Sequence, residues 1–573
     1  MLRKPKRWEI APPAPDEYLN RFPDLHPLAA QALYNRKIIA DDDVAAFLAA
    51  STRVDDPFQL SGMHPAVTRL RQAIRDGEQI AVYGDFDVDG VTATALLVLA
   101  LRALGGVVRP YIPHRVEEGY GLNVDALKEL AREGVQVVVT VDCGIRFPNE
   151  IAYARQQGMD VIVTDHHAVG KDALAAVAVI NPHQAHCSYP YPHLAGVGIA
   201  YKLAQALLRV NSQVPIRQPA RMEEGDLLDL VALGTVADMV PLTGENRTLV
   251  IQGLERINRE PRPGIEALMR QANLDPGHVD AEAIGYGLGP RLNAAGRVAH
   301  AETAYQLLTA EYPAEAERLA QQLDDLNRER QRITSQVQER AREIASAQRA
   351  DQPLIFIADP DFPAGIVGLV ASRLMEEFYR PAVIVEMGEH QSRGSARSIP
   401  EFHITQALDQ CADLLIQHGG HAAAAGFAVR TADLPQLKSR LVSLAEAELS
   451  SQGLVPILRA DAEVLLRDMS WEVWEALQKL RPFGEENPEP LLVSRDVQVR
   501  RQRAVGSEGS HLKLFLSDGS SGWDGIAFHQ GDWADHLPDR INVAYHLQLN
   551  EWNGQRRLQL NIQDIQPSGQ ETA

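Results

Sequence analysis

The feature that most constrains this chain is an acidic turn, residues 85–90, which read DFDVDG and follow the apolar run 80–82. The apolar run predicts a buried strand, and residues 92–104 predict a helix that leaves the turn. Asp85, Asp87 and Asp89 occupy alternate positions, so three negative charges repel one another at close range. A divalent cation removes that repulsion, because hard cations prefer oxygen ligands. The turn therefore predicts a metal site.

Two other interpretations of this turn have to be considered. The same spacing of acids begins a calcium-binding EF-hand loop, which also needs a glutamate at its twelfth position and a helix before it. Here the twelfth position is Leu96, and the preceding segment has the pattern of a strand. A solvated acidic turn without a ligand is the second alternative, and the motifs further along the chain argue against it.

The composition sets limits on the class of protein. A chain of 573 residues is long enough for three or four domains at roughly 150 residues each. The three cysteines, Cys143, Cys187 and Cys411, form no CxxC pair, which argues against a disulfide framework or zinc knuckle and favours a reducing cytosol. No apolar segment follows the basic start, so we expect no signal peptide.

The longest apolar stretch, residues 93–108, contains Arg102 and a Gly-Gly pair, and it is too short and too interrupted to predict a membrane span. The net charge of −20 argues against a nucleic-acid-binding protein when taken over the whole chain, because phosphates require Lys and Arg. That argument is weak where acids are concentrated at a metal site and arginines are concentrated elsewhere.

The sequence predicts two α/β domains joined by a long helix, followed by a small β-barrel. Residues 1–60 are predicted to form an N-terminal cap, which is Pro-rich and then helical in pattern. Residues 61–310 alternate strand and helix patterns, which predicts a parallel sheet with helices on both faces. The strand candidates there are residues 79–83, 135–141, 160–164 and 176–180.

The second half of the chain continues with a helix and two further patterns. Residues 311–349 carry leucines and isoleucines at helical spacing among charged residues; a coiled-coil dimer arm is the alternative to a connecting helix. Residues 350–450 alternate again, with strands at 354–358 and 382–386 around a helix at 365–378. Residues 455–567 alternate by twos around an Asn-Gly turn, which predicts a closed barrel.

Candidate ligands follow three of the predicted strands. The first strand precedes the acidic turn, the second ends at Asp142, and the third ends at Asp165-His166-His167. Ligands bind beyond the carboxyl ends of strands in an open parallel sheet. A single aspartate after a strand is usually a helix cap, and two histidines alone could be caps or exposed residues. Three such strand ends in series favour metal binding instead.

A fourth candidate lies further along the chain. Asp238 stands within the apolar segment 233–241. A buried carboxylate without compensation is costly, so either a metal or a helix end must compensate it.

Taken in order, Asp87-Val88-Asp89, Asp142, Asp165-His166-His167 and Asp238 resemble the four motifs of the DHH phosphoesterase superfamily, and within it the chain is most similar to the RecJ family of single-strand-specific 5′-to-3′ exodeoxyribonucleases. The resemblance extends to residues 289–297, 365–373, 395–398 and 419–426, and it is dense over about residues 60–430. It implies a parallel-sheet DHH domain, a DHH-associated domain and an OB-fold-like C-terminal barrel.

The resemblance also implies two Mn²⁺ or Mg²⁺ ions and assigns roles to individual residues. Asp142 would bridge the ions, His167 would contact the scissile phosphate, and Asp85 would be either a ligand or an acceptor behind the ligands. Tyr83 stands where pyrophosphatase relatives have a metal-binding histidine, and Ala396 stands where many relatives have glycine. The implied ligands are Asp87, Asp89, Asp142, His166 and Asp238.

Candidate phosphate-binding residues lie in both α/β domains. Gly420 offers a backbone without a side chain, and His421 beside it offers an imidazole that can donate a hydrogen bond. Ser395 offers a hydroxyl, and Arg397 offers a planar guanidinium that can bind a phosphate through two hydrogen bonds. Their alternatives are a tight turn with a capping histidine and a surface loop, respectively. The further candidates are Arg115, Arg291, Asn293, Arg297 and Arg373.

The C-terminal segment mixes basic and aromatic residues, as single-stranded nucleic acids favour, although solvated strand faces would show the same mixture. Its candidates are Arg500, Arg501, Arg503, Phe515, Trp552, Arg556 and Arg557. Residues 196–198, which read GVG, resemble a fragment of a dinucleotide-binding motif, but they lack the third glycine and a strand before them.

We therefore expect a processive two-metal exonuclease that degrades single-stranded DNA in the 5′-to-3′ direction to 5′-mononucleotides, in repair and recombination. The resemblance implies single-strand-binding protein and a helicase as partners, and we expect a cytoplasmic monomer without membrane contact. One rival is a small-molecule phosphodiesterase of the same superfamily, which would need no barrel. The other is a scaffold subunit that has lost its metal ligands, whereas every expected ligand is present here.

Overall fold

The structure, a computed structural model, describes residues 6–49, 54–216, 222–347, 352–449, 454–552 and 554–569. Its strands are β1 Arg7–Ile10, β2 Gln79–Tyr83, β3 Val107–Tyr111, β4 Val135–Val141, β5 Asp160–Thr164, β6 Ala178–Ile180, β7 Ile355–Asp359, β8 Ala382–Glu386, β9 Gln391–Arg397, β10 Leu415–Gly420, β11 Ala424–Arg430, β12 Ile457–Ala460, β13 Ala462–Glu463, β14 Leu492–Val505, β15 His511–Ser517, β16 Gly522–Ala527, β17 Arg540–Trp552 and β18 Gln555–Pro567.

The helices divide into those before and those after the longest one, which is α14. The first group is α1 Asp16–Arg21, α2 Pro27–Asn35, α3 Asp41–Leu48, α4 Met63–Asp76, α5 Val88–Ala103, α6 Val124–Arg132, α7 Pro148–Gln156, α8 Gly196–Gln213, α9 Leu228–Ala237, α10 Gly244–Arg259, α11 Pro263–Gln271, α12 Gly289–Val298 and α13 Glu302–Thr309. The second group is α14 Pro313–Ala347, α15 Ala364–Phe378, α16 Ile404–Asp409, α17 Leu434–Leu449 and α18 Trp471–Gln478.

The described chain forms two compact units. The central unit comprises residues 49–335 together with 482–487, and the terminal unit comprises the described parts of 1–48, 336–481 and 488–573. The first 23 residues of α14 belong to the central unit and the rest belong to the terminal unit. The predicted long helix between two α/β regions is therefore confirmed.

A five-stranded parallel sheet in the order β3-β2-β4-β5-β6 forms the middle of the central unit. Side chains alternate between its faces: Ile80 and Val82 join one core, while Ala81 and Tyr83 join the core on the opposite face. Both faces are buried, which is why these strands are continuous apolar runs. Helix α5 lies within the larger core and is buried on nearly all sides.

The predicted strands of this sheet are confirmed at 79–83, 135–141 and 160–164, and the fourth is shorter, beginning at Ala178. Strand β3 was not predicted. It is an edge strand that contains Pro110 and has an exposed Val107, so it lacks the apolar run of its neighbours.

The terminal unit contains a mixed sheet and a barrel. The mixed sheet has the order β10-β11-β9-β8-β7, in which β7 and β8 are parallel and the others are antiparallel. The strands β14-β15-β16-β18-β17 close into a barrel through the pairing of β14 with β17. The predicted fold class, two α/β regions and a C-terminal barrel, is confirmed. The Asn553 of the predicted hairpin turn lies outside the described residues.

The N-terminal residues contribute to the terminal unit. Strand β1 pairs in parallel with β12, and Trp8 Nε1 donates to Asp564 Oδ2 of β18 at 2.7 Å. Within the described residues, no helix combines the length and apolar character that crossing a bilayer requires.

Candidate metal centre

Three neighbouring strands of the central sheet end at one place. Strands β2, β4 and β5 lie side by side, and the acidic turn, Asp142 and residues 165–167 follow their respective carboxyl ends. Each of these segments begins where its strand stops, because the charged residues interrupt the apolar runs. Asp238 reaches the same place from α9, of which it is the C-terminal cap.

The side chains of the four segments approach one another closely. His166 Nε2 lies 3.1 Å from Asp142 Oδ1, 3.6 Å from Asp238 Oδ2 and 3.9 Å from Asp89 Oδ2. Three groups have ligand atoms that all lie within 4.8 Å of one another: Asp85, Asp87 and Asp142; Asp142, His166 and His167; and Asp89, His166 and Asp238. Asp142 belongs to two of these groups, as does His166.

Two helix N-termini support the acidic residues. Asp87 caps α5 by accepting the backbone amide of Gly90 at 3.1 Å, which fixes the direction in which the helix leaves the turn. Asp89, in the first turn of α5, accepts the amides of Gly196 and Val197 at 2.6 and 2.7 Å. These amides open α8, so the positive end of that helix faces a carboxylate.

Glycines make this packing feasible. A Cβ on Gly196 would come within 2.6 Å of Asp142 Oδ1, and a Cβ on Gly234 would come within 2.9 Å of Asp89 Oδ1. Asp142 itself has a positive φ of 59°, an uncommon conformation for a residue other than glycine. The centre therefore depends on two glycines and one strained backbone position in addition to its charged side chains.

The electrostatics of this centre favour a cation. Burial, together with the charge of Asp87, raises the pKa of Asp89 to about 7. Burial also raises the pKa of Asp85, Asp142 and Asp238 well above the ordinary value for a carboxyl, and neighbouring carboxylates raise each further. Asp85 Oδ1, Asp142 Oδ1 and Asp238 Oδ2 are buried and accept no hydrogen bond of acceptable geometry from any described residue.

Oxygen-rich ligands with histidine suit Mn²⁺ or Mg²⁺, and a buried group of uncompensated carboxylate oxygens is what such ions neutralise. The residues present therefore fit a divalent metal.

His167 is held differently from His166. Its Nδ1 lies 2.7 Å from Asp165 Oδ1, and Asp165 also accepts the amide of Ile145 at 2.9 Å. Burial would lower the pKa of His167, but the hydrogen bond to Asp165 outweighs it and the pKa is raised. The Tyr120 hydroxyl lies 3.4 Å from the same ring nitrogen. Asp165 thus positions the His167 ring and favours its protonated form.

The other candidates of the central unit have different surroundings. The Arg115 guanidinium lies 4.5 Å from the centre of the Phe86 ring, beside the acidic turn. Asn293 and Arg297 are half-buried and one turn apart on α12. Arg291 instead pairs with the buried Asp324 at 2.9 Å and donates to Gly287 O at 2.8 Å, so its guanidinium is engaged within the fold.

The phosphate-binding candidates of the terminal unit lie on one sheet. Ser395 and Arg397 share a face of β9, and Arg397 Nη1 donates to Ser395 Oγ at 3.2 Å. A Cβ on Gly368 would lie 3.1 Å from Ser395 Oγ, so the start of α15 adjoins this pair. Gly420 ends β10 with a φ of 150°, and His421 follows it. Arg373 donates to Gln338 at 2.5 Å on α14.

The barrel candidates are mostly exposed. Arg500, Arg501 and Arg503 are exposed along β14, and the Arg501 guanidinium lies 4.9 Å from the centre of the Phe515 ring. Arg556 pairs with Glu551, and Arg557 donates to Gln555 at 2.9 Å. The Trp552 side chain lies outside the described residues.

Sequence reasoning missed the role of Gly196. The GVG of residues 196–198 resembles only a fragment of a nucleotide motif, but its first glycine opens α8 against Asp89 and Asp142. The signal that could have found it is a glycine at the first position of a helix that follows a loop, because the backbone amides of such a helix start can approach an anion closely.

Comparison with known proteins agrees with this arrangement. The chain matches the family models "DHH family, N-terminal domain" over residues 79–235, "DHHA1 domain" over residues 351–450 and "RecJ OB domain" over residues 460–564. These three matches fall on the central parallel sheet, the mixed sheet and the barrel, respectively.

Individual relatives are similar over most of the chain. The single-stranded-DNA-specific exonuclease RecJ of Salmonella typhimurium is 40% identical and aligns with 89% of this chain and 91% of its own length. Crystal structures of RecJ from Thermus thermophilus in complex with Mn²⁺ and with Mg²⁺ superpose with TM-scores of 0.84 and 0.79, at 31% and 30% identity. They cover 98% of this chain and 80% and 79% of theirs. The chain therefore belongs to the RecJ family.

Proposed function

We propose that this chain is a metal-dependent exonuclease that degrades single-stranded DNA from its 5′ end and releases 5′-mononucleotides. The observation that carries the proposal is the set of three overlapping ligand groups, in which Asp142 and His166 each take part twice. Shared ligands suit two adjacent cations. The printed names of the relatives, single-stranded-DNA-specific exonucleases, supply the substrate class.

We propose that Asp87, Asp89, Asp142, His166 and Asp238 hold two Mn²⁺ or Mg²⁺ ions, with Asp142 between them and Asp85 as a further ligand. Such ions neutralise a phosphodiester, lower the pKa of a bound water and stabilise the leaving oxygen. The protein supplies the orientation: the α8 amides fix both oxygens of Asp89, and Gly196 permits the close approach of Asp142.

His167 is assigned to the scissile phosphate. Its Nδ1 faces Asp165, so Nε2 is the nitrogen that can carry a proton toward an anionic oxygen. Because its pKa is raised, the ring stays protonated at a higher pH than a free histidine does. Arg115, Asn293 and Arg297 are proposed to bind phosphates next to the scissile one, whereas Arg291 acts through its ion pair with Asp324.

The terminal unit is proposed to bind the DNA strand. Ser395, Arg397, Gly420, His421 and Arg373 form the candidate site for a terminal 5′-phosphate, and a bidentate guanidinium suits such a dianion. The exposed arginines of β14 and the ring of Phe515 would bind the strand by charge and stacking.

Compartment, partners and assembly complete the proposal. We propose a cytoplasmic monomer that cooperates with single-strand-binding protein and a helicase in repair and recombination. Supporting the compartment, Cys143, Cys187 and Cys411, which are all the cysteines of the chain and all described, are free thiols. The partners rest on the family resemblance.

The decisive test uses single strands labelled at the 5′ or the 3′ end, and a duplex, with Mn²⁺ or with a chelator. We expect the 5′-labelled strand to release labelled mononucleotide immediately. The 3′-labelled full-length strand should disappear without early release of labelled mononucleotide. Duplex DNA, and either single strand in the presence of chelator, should be cleaved little. Asp142→Asn should abolish cleavage, while Asp125→Asn, an exposed aspartate of α6, should not. Immediate mononucleotide release from the 3′ label would refute the direction.

A second experiment addresses the 5′-phosphate. Arg397→Ala should erase the preference for phosphorylated over hydroxyl 5′ ends, while Arg430→Ala, an exposed arginine on the neighbouring strand β11, should leave that preference intact. An unchanged preference in Arg397→Ala would remove Arg397 from the proposed site.

A further inference from the structure

Two exposed apolar side chains of the central unit lie close to the place where α9 ends and α12 begins. Met239, which follows Asp238 directly, is 72% exposed. Tyr286, which comes three residues before the start of α12, is 84% exposed. A single exposed apolar residue is ordinary on a protein surface. This pair differs from the ordinary case in its backbone conformation and in its place beside the candidate metal ligands.

The backbone at both positions departs from regular helix. Met239 has a φ of 60°, in the left-handed region that residues with a side chain rarely adopt. Tyr286 lies in the π-helical turn Ala283–Leu288, and such turns are rare and occur frequently at functional sites. Packing of the two side chains does not account for these conformations, since both side chains are largely exposed. An uncommon backbone that displays an apolar group therefore points to a function for that group.

Helix α12 relates the two positions to the metal centre. At its first residue, a Cβ on Gly289 would lie 3.8 Å from the Cβ of Ala237, the residue before Asp238. Two turns further on, a Cβ on Gly296 would lie 2.5 Å from Phe86 O in the acidic turn. The helix thus runs along one side of the metal centre, from the segment that carries Asp238 to the acidic turn. Both exposed apolar residues lie at the first of these two ends.

The neighbouring candidates indicate which partner fits the apolar pair. Asn293 and Arg297, which are proposed to bind phosphates, lie further along α12. A polymer with anionic phosphates and apolar base faces matches this succession of groups. Bases of any identity stack on an aromatic ring, and the flexible, polarisable side chain of methionine adapts to different surfaces. Both properties suit an enzyme that has to accept each base of a strand in turn.

We propose that Met239 and Tyr286 contact the bases of the single strand next to the scissile nucleotide. The inference rests on the proposed exonuclease function and deepens it, because it assigns a contact to the bases in addition to those assigned to the phosphates. Neither side chain is charged, so this contribution to binding is less sensitive to salt than that of the arginines.

Tyrosine variants test the stacking contact. The measurements are affinity for a fluorescent single strand in chelator, and KM and kcat in Mn²⁺. Tyr286→Ala should weaken binding at least about fivefold and raise KM more than it changes kcat, because one stacked base corresponds to about that factor or more. Tyr286→Phe keeps the ring and should bind as the wild type does. The matched control is Tyr312→Ala, which removes a tyrosine that is 69% exposed and should leave affinity unchanged.

Met239→Gly should change stability and binding in opposite directions. Glycine adopts a positive φ without strain, so the melting temperature should rise by about 1–2 °C. Affinity for the strand should fall about two- to tenfold, because glycine cannot contact a base. The matched control is Asn273→Gly, which replaces an exposed residue with a φ of 52° and should leave affinity unchanged. If Met239 had only a structural role, affinity would follow stability.

A strand whose nucleotides at the 5′ end lack bases distinguishes a base contact from a phosphate contact. Tyr286→Ala and Met239→Gly should bind this strand as the wild type does, because the contact that they remove is already absent. Unchanged affinity of both variants for the intact strand, or equal losses on the two strands, would overturn the proposal. A wild-type dimer that Tyr286→Ala dissociates would also overturn it, since the apolar pair would then bind a second copy of the chain.

The same measurements separate this inference from the function on which it rests. A wild-type chain that does not cleave single strands in Mn²⁺ would overturn the proposed function together with this inference. Cleavage by the wild type, with strand affinity and KM unaffected in both variants, would overturn this inference alone.

Discussion

The carboxylate of Asp89 accepts the backbone amide of Gly196 at 2.6 Å, across 107 residues of sequence. The same glycine lies so near Asp142 that a methyl group in place of its hydrogen would overlap the Asp142 carboxylate. One backbone position thus orients a first acidic residue and leaves space for a second. The start of α8 therefore shapes the proposed metal centre together with the charged side chains.

Gly196→Ala should weaken the metal centre without removing a ligand. The added Cβ must displace Asp142 or the α8 amides, so we expect Mn²⁺ affinity or exonuclease rate to fall by about 10- to 100-fold. Gly198→Ala is the matched control, since the three atoms nearest to its Cβ would all belong to the Leu194 side chain, the closest at 3.3 Å. Equal losses in the two variants would show that helix packing, rather than the position of Asp142, is responsible.

Metal removal should make the protein sensitive to pH. The pKa of Asp89 is raised to about 7 in the folded protein, so the folded state holds a proton that the unfolded state has released at about pH 4. The contribution of Asp89 to the stability of the metal-free protein should therefore be greatest below about pH 4, and it should fall as the pH rises to about 7.

Asp85, Asp142 and Asp238 shift in the same direction and strengthen that trend. The measurement is the melting temperature between pH 5 and 8 in chelator, expected to fall, and in Mn²⁺, expected to stay level. Asp142→Asn should flatten the chelator profile, and a profile that is identical in the wild type and this variant would contradict the assignment.

Asp165→Asn should lower the pKa of His167. Burial lowers the pKa of His167, but the hydrogen bond and charge of Asp165 hold it above its ordinary value, so their loss should lower it. His167 then loses its proton at a lower pH, so the alkaline limb of the pH–rate profile for cleavage should move to lower pH. NMR titration of the imidazole measures the shift directly, and Tyr120→Phe, which removes a hydroxyl 3.4 Å from the same nitrogen, should leave it nearly unchanged.

Arg291→Gln should reduce stability rather than substrate binding. Removing the more buried of the two arginines that pair with Asp324 leaves this buried charge with only the exposed Arg328, and it should cost about 3 kcal/mol in the free energy of unfolding. Arg328→Gln, which removes an exposed partner of the same carboxylate, should cost about 1 kcal/mol or less. In urea unfolding, the double variant Arg291→Gln/Asp324→Asn should lose less stability than the two single variants lose in sum. If Arg291→Gln instead lowers DNA affinity and leaves stability unchanged, Arg291 belongs to the phosphate site.

The parts of the fold that the sequence could predict are those set by local pattern. Strands β2, β4 and β5 match their predicted bounds because both sheet faces are buried and the chain there is almost entirely apolar. Strand β3 has no such signal, since it lies at the edge and contains Pro110. The pairing of β1 with β12 joins segments far apart in sequence, and no local pattern indicates it.

The candidate site divides in the same way. The strand-end carboxylates were identifiable because parallel strands bring their ends to one edge, and Asp238 was identifiable because a carboxylate in an apolar segment needs compensation. The contributions of Gly196 and Gly234 are distances between backbone and side chain across helices, which only the folded chain reveals. The engagement of Arg291 by Asp324 likewise depends on how α12 packs against α14.

The pairing of β1 with β12 has a consequence for how the protein is made on the ribosome. The first strand leaves the exit tunnel hundreds of residues before its partner, residues 457–460, has been translated. The unit that carries the acidic centre, drawn mainly from residues 49–335, can complete its sheet during that interval. During synthesis β1 must therefore stay unpaired until residues 457–460 have been translated, and a substitution that breaks this pairing should disturb the terminal unit rather than the unit that carries the acidic centre.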